Sequence, residues 1–168
     1  MTQLLLALDQ AAKVSGATVF DKTAEKPIDI LTWTIKDKGD MGQRLHDFLR
    51  ELNKVYKQHP FTELVFEDIQ LQAGNVKTFK TLAYIQATII LWCAKNEIPY
   101  TIMSPSHWRK VLKEKYNVIW GRSRKEQKAA AQQLVKQLTN QDFTEDECDS
   151  FCIGLAYLAE QGKAQSAF

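Results

Sequence analysis

The stretch "LLLALDQ", Leu4 to Gln10, runs five apolar residues straight into an acid. A run this short and this apolar is a buried strand. Such a strand delivers the carboxylate of Asp9 to the margin of a core. An ionised carboxylate taken out of water without a partner costs several kcal/mol or more, so it must be paired, solvated or bound to a metal. The simpler account is an exposed strand end whose Asp opens a turn, and Asp9 alone fits that account better.

The chain around it alternates strand and helix signals. Residues 3–8, 16–20 and 30–35 ("ILTWTI") are β-branched and aromatic with short polar connections, and predict an antiparallel meander. Residues 40–57 carry Met41, Leu45, Phe48, Leu49, Leu52 and Tyr56 at helical spacing. "ELVFEDI" (63–69) predicts a fourth strand, 78–95 a long helix and "PYTIMS" (99–104) a fifth strand. Ser104-Pro105 then opens a helix with a cap and a first-turn proline. A loop at 117–123, a helix over 124–138 and a last helix from about Thr144 complete the chain. This order predicts an α/β fold with a five-stranded mixed sheet, three strands antiparallel and then two parallel, flanked by helices. The helices at 41–57 and 78–95 serve as the crossovers. At 168 residues the chain is expected to form a single domain, 1–168.

No apolar run approaches the roughly 20 residues of a membrane helix, and Met1-Thr2-Gln3 lacks the basic region of a signal peptide. The expected location is cytoplasmic, with no membrane partner. Cys93, Cys148 and Cys152 make neither a disulfide framework nor a zinc pattern and read as small buried residues; His46, His59 and His107 are scattered. Any metal site must therefore be built from oxygen.

Two further acidic elements accompany Asp9. "LVFEDI" is a second apolar strand ending on acid, and alternation puts Glu67 and Asp68 on opposite faces without saying which one shares a face with Asp9. In "EDECDSFCIGLAYL", Asp146 and Asp149 lie three apart at the head of a stripe that continues through Cys152, Ile153 and Ala156. Helix-dipole preference accounts for Glu145 to Glu147 but poorly for Asp149, which lies inside the helix and in line with the apolar stripe. Crowded carboxylates with no His or Cys point to magnesium or manganese, and a pair of such ions suits in-line attack on a phosphodiester. Charge supports a polyanionic partner: between Arg109 and Lys136 nine bases face two acids, and five acids follow between Asp142 and Asp149.

These pieces resemble the RNase H-like nucleases, and within them the RuvC Holliday-junction resolvases. The matching segments are "LALDQAAKVSG", "VFEDIQ", "MSPSHWRK", "RKEQKAAAQQL" and "DECDSFCIGLAY", in the family's order and across most of the chain. The resemblance implies a magnesium-dependent junction endonuclease, with manganese able to substitute, whose ligands are Asp9, Glu67, Asp146 and Asp149. It implies basic DNA contacts at Arg109, at Lys110 or Lys113, and at Lys125 or Lys128. Lys77, Thr78 and Lys80 would add phosphate contacts at a helix start, and Gln70 a base contact. It also implies a homodimer along the 78–95 helix, where Tyr84, Ile85, Leu91 and Trp92 exceed what one sheet-facing stripe requires. The small size and divergent second half fit a phage-encoded member. A broader debranching nuclease and a non-catalytic junction binder are the competing expectations, and the seven scattered glycines exclude a phosphate-loop ATPase. One departure stands out: no aromatic follows Glu67 until Phe79, where the family places a base-stacking ring. This predicts weak sequence preference and activity on forks and flaps, unless Phe79 takes the ring's place.

Overall fold

The computed structural model describes residues 2–36, 39–71 and 73–166; Gln72, in the loop after Glu67, lies outside them. Five strands form one sheet in the order β3-β2-β1-β4-β5. The strands are β1 (Leu4–Asp9), β2 (Val14–Asp21), β3 (Lys26–Thr34), β4 (Glu63–Glu67) and β5 (Tyr100–Met103). β1 pairs antiparallel with β2 and parallel with β4, and β4 pairs parallel with β5. The expected mixed sheet is therefore present, with β1 at its centre.

Strand alternation divides the core in two. Leu6, Leu8, Leu64 and Phe66 point to one face, where α1 (Met41–Gln58) and α2 (Val76–Lys95) pack with Phe48, Leu52, Ile85, Ile89 and Trp92. Leu5, Ala7 and Val65 point to the other, under α3 (Pro105–Tyr116), α4 (Arg124–Thr139) and α5 (Glu145–Ser166). α5 lies directly on the sheet beneath α3 and α4, so every residue from Cys148 to Ala159 is buried. The sequence showed one core-facing stripe of α5; the structure adds a second cover on its outer side.

Close backbone contact fixes where α5 starts. A Cβ on Gly16 would lie 1.9 Å from the Asp146 carbonyl oxygen, so β2 and the head of α5 can touch only with glycine there. A buried hydrogen bond of 2.7 Å joins Thr18 of β2 to Ser150, next to Asp149. Thr144 and Glu147 exchange hydrogen bonds as an N-terminal capping box, and Thr32 also donates to Glu147, so that acid is occupied structurally.

Two expectations for α2 need correction. Ile85 and Trp92 are each only 5% exposed and belong to the chain's own core. The Trp92 indole N–H donates to Asn53 of α1 at 2.8 Å, and its ring packs on Tyr56 and Phe61. Periodicity showed that α2 is apolar almost all round, but could not show that α1 covers one of the extra stripes. Tyr84 (47% exposed) and Leu91 (71%) remain uncovered.

The cysteines are all buried and unpaired, with Cys93 pushed up to about 11 and Cys148 to about 12 by desolvation, so they stay protonated. Among the described residues no helix is long and apolar enough to cross a membrane.

Candidate active site

The parallel register of β1 and β4 pairs Leu8 with Phe66, so the next residues, Asp9 and Glu67, emerge side by side at the same sheet edge. They continue the alternation of Ala7 and Val65, which places both on the face covered by α5. Asp68 starts on the opposite face and accepts from the Ile69 N–H, and with the loop it opens it also lines the same cavity as Asp9 and Glu67. The head of α5 brings Asp149 and Asp146 to the same place. All four acids line one cavity of about 560 Å³ at the C-terminal ends of β1 and β4.

Electrostatics there are adverse to four free carboxylates. Burial raises Asp9 well above the ordinary carboxylate range, and repulsion from Glu67 and Asp149 adds to it. Glu67, Asp146 and Asp149 are raised too, in each case first by burial. Two contacts oppose the shift. The Trp108 indole N–H donates to Glu67 Oε2 at 2.8 Å, and the Lys128 ammonium hydrogen-bonds Asp149 Oδ2. Burial disfavours the Lys128 charge, but Asp149 and Asp9 outweigh it and hold the ammonium above its usual value. Arg109 lowers Glu67 and Asp149 and Arg124 lowers Asp146, yet all four acids stay raised despite these three cations.

That imbalance is what a divalent cation corrects, and an all-oxygen donor set is the chemistry of magnesium or manganese. With Asp149 engaged by Lys128 and Glu67 by Trp108, no three such side chains among the described residues stand as a ready-made ligand cage. The donor types, their burial and their mutual repulsion fit a metal.

No family model matches the chain. Curated relatives do match. One is the crossover junction endodeoxyribonuclease RuvC of Nitratidesulfovibrio vulgaris strain Hildenborough, 34% identical over 89 residues, which are 53% of this chain and 50% of that protein. Another is the protein of the same name from strain DP4, 27% identical over 124 residues, 73% of this chain and 71% of that protein. The first match thus spans half the relative's length. Among solved structures, Thermus thermophilus RuvC in complex with Holliday junction substrate superposes with a TM-score of 0.75 over 96% of each chain, at 9% identity. The chain is RuvC-like in sequence and in fold.

On this RuvC-like frame the basic residues sort into two groups. Arg109 and Lys128 line the cavity with the acids, and Gln70 lies on its rim. Lys77, Lys80, Lys110, Lys113 and Lys125 are exposed and stand outside the cavity wall. Of the pair Lys125 or Lys128, it is Lys128 that faces the acids.

Sequence reasoning passed over Arg124, Gln127 and Asn75, which also line the cavity. Arg124 was legible in principle: it lies four residues before Lys128 on α4, so the two share a face. Asn75 caps α2 by accepting from Thr78 N–H at 3.3 Å, and the helix start that it marks opens onto the site. Phe79, one residue further on, lines the same wall. A ring therefore stands in the cavity wall after Glu67, at Phe79.

Proposed function

We propose that this RuvC-like chain is a metal-dependent endodeoxyribonuclease that resolves four-way DNA junctions, two copies making two symmetric nicks. The observation that carries it is the meeting of Asp9, Glu67, Asp146 and Asp149 in one cavity rimmed by Arg109, Arg124 and Lys128. The relatives' shared name and the fold similarity to Thermus thermophilus RuvC support the same reading.

In this mechanism Asp9 and Glu67, with Asp149 and Asp146 across from them, would hold the metal, magnesium or manganese. When bound, the metal lowers the pKa of the attacking water and stabilises the leaving 3′ oxygen. Arg109 and Arg124 hold the phosphate backbone at the cavity mouth. Lys128, which lines the cavity beside Asp149, would meet the scissile phosphate. Phe79 offers a face for a base unstacked at the crossover.

The partner copy is placed along the outer face of α2. Tyr84 and Leu91 lie two turns apart on that face, exposed, with Ala87 between them. A symmetric dimer built there suits a junction with its own approximate two-fold axis.

Phosphate contact makes affinity fall with salt, with a slope close to one unit per contact. Arg124→Ala should weaken binding to junctions of unrelated sequence alike and lower that slope by about one unit. Lys113→Ala, outside the cavity, should leave it unchanged. Fluorescence anisotropy across a salt series reads both; equal slopes for Arg124→Ala and wild type would remove Arg124 from the contact set.

A broader debranching activity is the second reading, expected if no ring at the site meets a base. Phe79→Ala then leaves junction affinity unchanged, whereas a base stacked at Phe79 makes that substitution cost on the order of 1–3 kcal/mol. A panel of labelled four-way junctions differing at the crossover, with a fork and a flap, in magnesium, manganese or chelator, tests the proposal. Cutting of all branched forms at comparable rates supports the debranching reading, whereas cutting confined to four-way junctions supports resolution. No metal-dependent cutting of any branched form would refute both.

A further inference from the structure

Trp108 is 1% exposed in the core beneath α3, yet its polar atom reaches the site, donating to Glu67 Oε2 at 2.8 Å. A buried tryptophan needs an acceptor, and any nearby carbonyl would satisfy it. Here the acceptor is one of the four converging acids. The other side of the same ring system carries charge as well: the Arg109 guanidinium lies 4.9 Å from the Trp108 ring centroid and lines the cavity. The ring is braced by Trp120, edge-on at 5.4 Å, whose own N–H donates to the Arg109 carbonyl at 2.8 Å.

We propose that Trp108 is a positioning residue that fixes the orientation of Glu67 for metal and seats Arg109 for phosphate, so that one side chain sets both halves of the site. The inference rests on the nuclease reading and adds a residue to it. The indole commits one oxygen of Glu67 and so selects how that carboxylate can meet a cation. Partners that orient a metal ligand in this way commonly change metal affinity by about 10–100-fold when removed. The plain alternative is a core tryptophan whose N–H happens to be satisfied by Glu67.

The test is Mn2+ binding to the full chain, followed by the electron paramagnetic resonance of free Mn2+. Two variants are compared with wild type: Trp108→Phe, and the chain carrying benzothienylalanine at 108, which keeps the bicyclic shape and lacks only the N–H. Trp33→Phe is the control, since the Trp33 indole N–H sits in the opposite core with no hydrogen-bond partner among the described residues. Both 108 variants should bind Mn2+ about tenfold or more weakly, and the control should match wild type. Wild-type affinity in the benzothienylalanine protein would overturn the proposal while leaving the nuclease reading intact. A wild type that binds no Mn2+, or binds it regardless of Asp9→Asn, would overturn the nuclease reading and this inference with it.

Discussion

Asp9→Asn protein should bind a four-way junction at least as tightly as wild type and cut it on the order of 10²–10³-fold more slowly, or not at all. The amide keeps the shape of the carboxylate and loses the charge that a metal requires. Binding survives because the acids repel phosphate; taking one away helps DNA approach. The same substitution should make the metal-free protein more heat-stable. Burial and repulsion from Glu67 and Asp149 raise the Asp9 carboxyl in the fold above its unfolded value, so its ionised form opposes folding. A group raised in this way lowers stability as pH climbs from the unfolded to the folded value. The gain from Asp9→Asn is therefore full above the folded value and shrinks as pH falls from the folded value to the unfolded one. Thermal unfolding in chelator at neutral and acidic pH reads this directly. Normal cleavage by the variant would remove Asp9 from the ligand set.

The second large effect separates core from surface on α2. Ile85→Asp and Trp92→Asp should abolish folding or cost several kcal/mol, since each buries a charge with no partner and empties a packed site. Trp92 adds the loss of its hydrogen bond to Asn53 and its contacts with Tyr56 and Phe61. Leu91→Asp, at an exposed position, should leave the fold intact and shift a dimer to monomer. Circular dichroism and sedimentation velocity on the same samples distinguish the outcomes. A folded Leu91→Asp protein that sediments as wild type does would exclude this face as the dimer contact.

Much of the fold was legible because its elements are strongly patterned. β1 and β4 have apolar centres that end on acid, and α1 carries a clean stripe. The boundaries moved where local signals were weak: β3 begins at Lys26 rather than residue 30, paired through a bulge at Val19 and Phe20. The acids were harder. Composition and spacing narrowed the second strand to Glu67 or Asp68, and only the resemblance chose between them. The geometric reason for the choice is the β1–β4 register, a contact between residues nearly sixty positions apart, which no local window contains. The lysines show the opposite case. Nine bases in a row of helices predict a basic surface, but which of them face the cavity depends on how α3 and α4 rotate over α5. That rotation is set by packing on Cys148 to Ala159, and it selects Arg109, Arg124 and Lys128 over Lys110, Lys113 and Lys125.

If two copies of this chain use metal held by four carboxylates to nick a junction symmetrically, a supercoiled plasmid that extrudes a cruciform reports it when incubated with wild-type protein in magnesium and in chelator. Magnesium should convert the plasmid to linear form through paired nicks on opposing strands, with chelator abolishing all cutting. Intact plasmid in both magnesium and manganese, or cutting that persists in chelator, would contradict that mechanism.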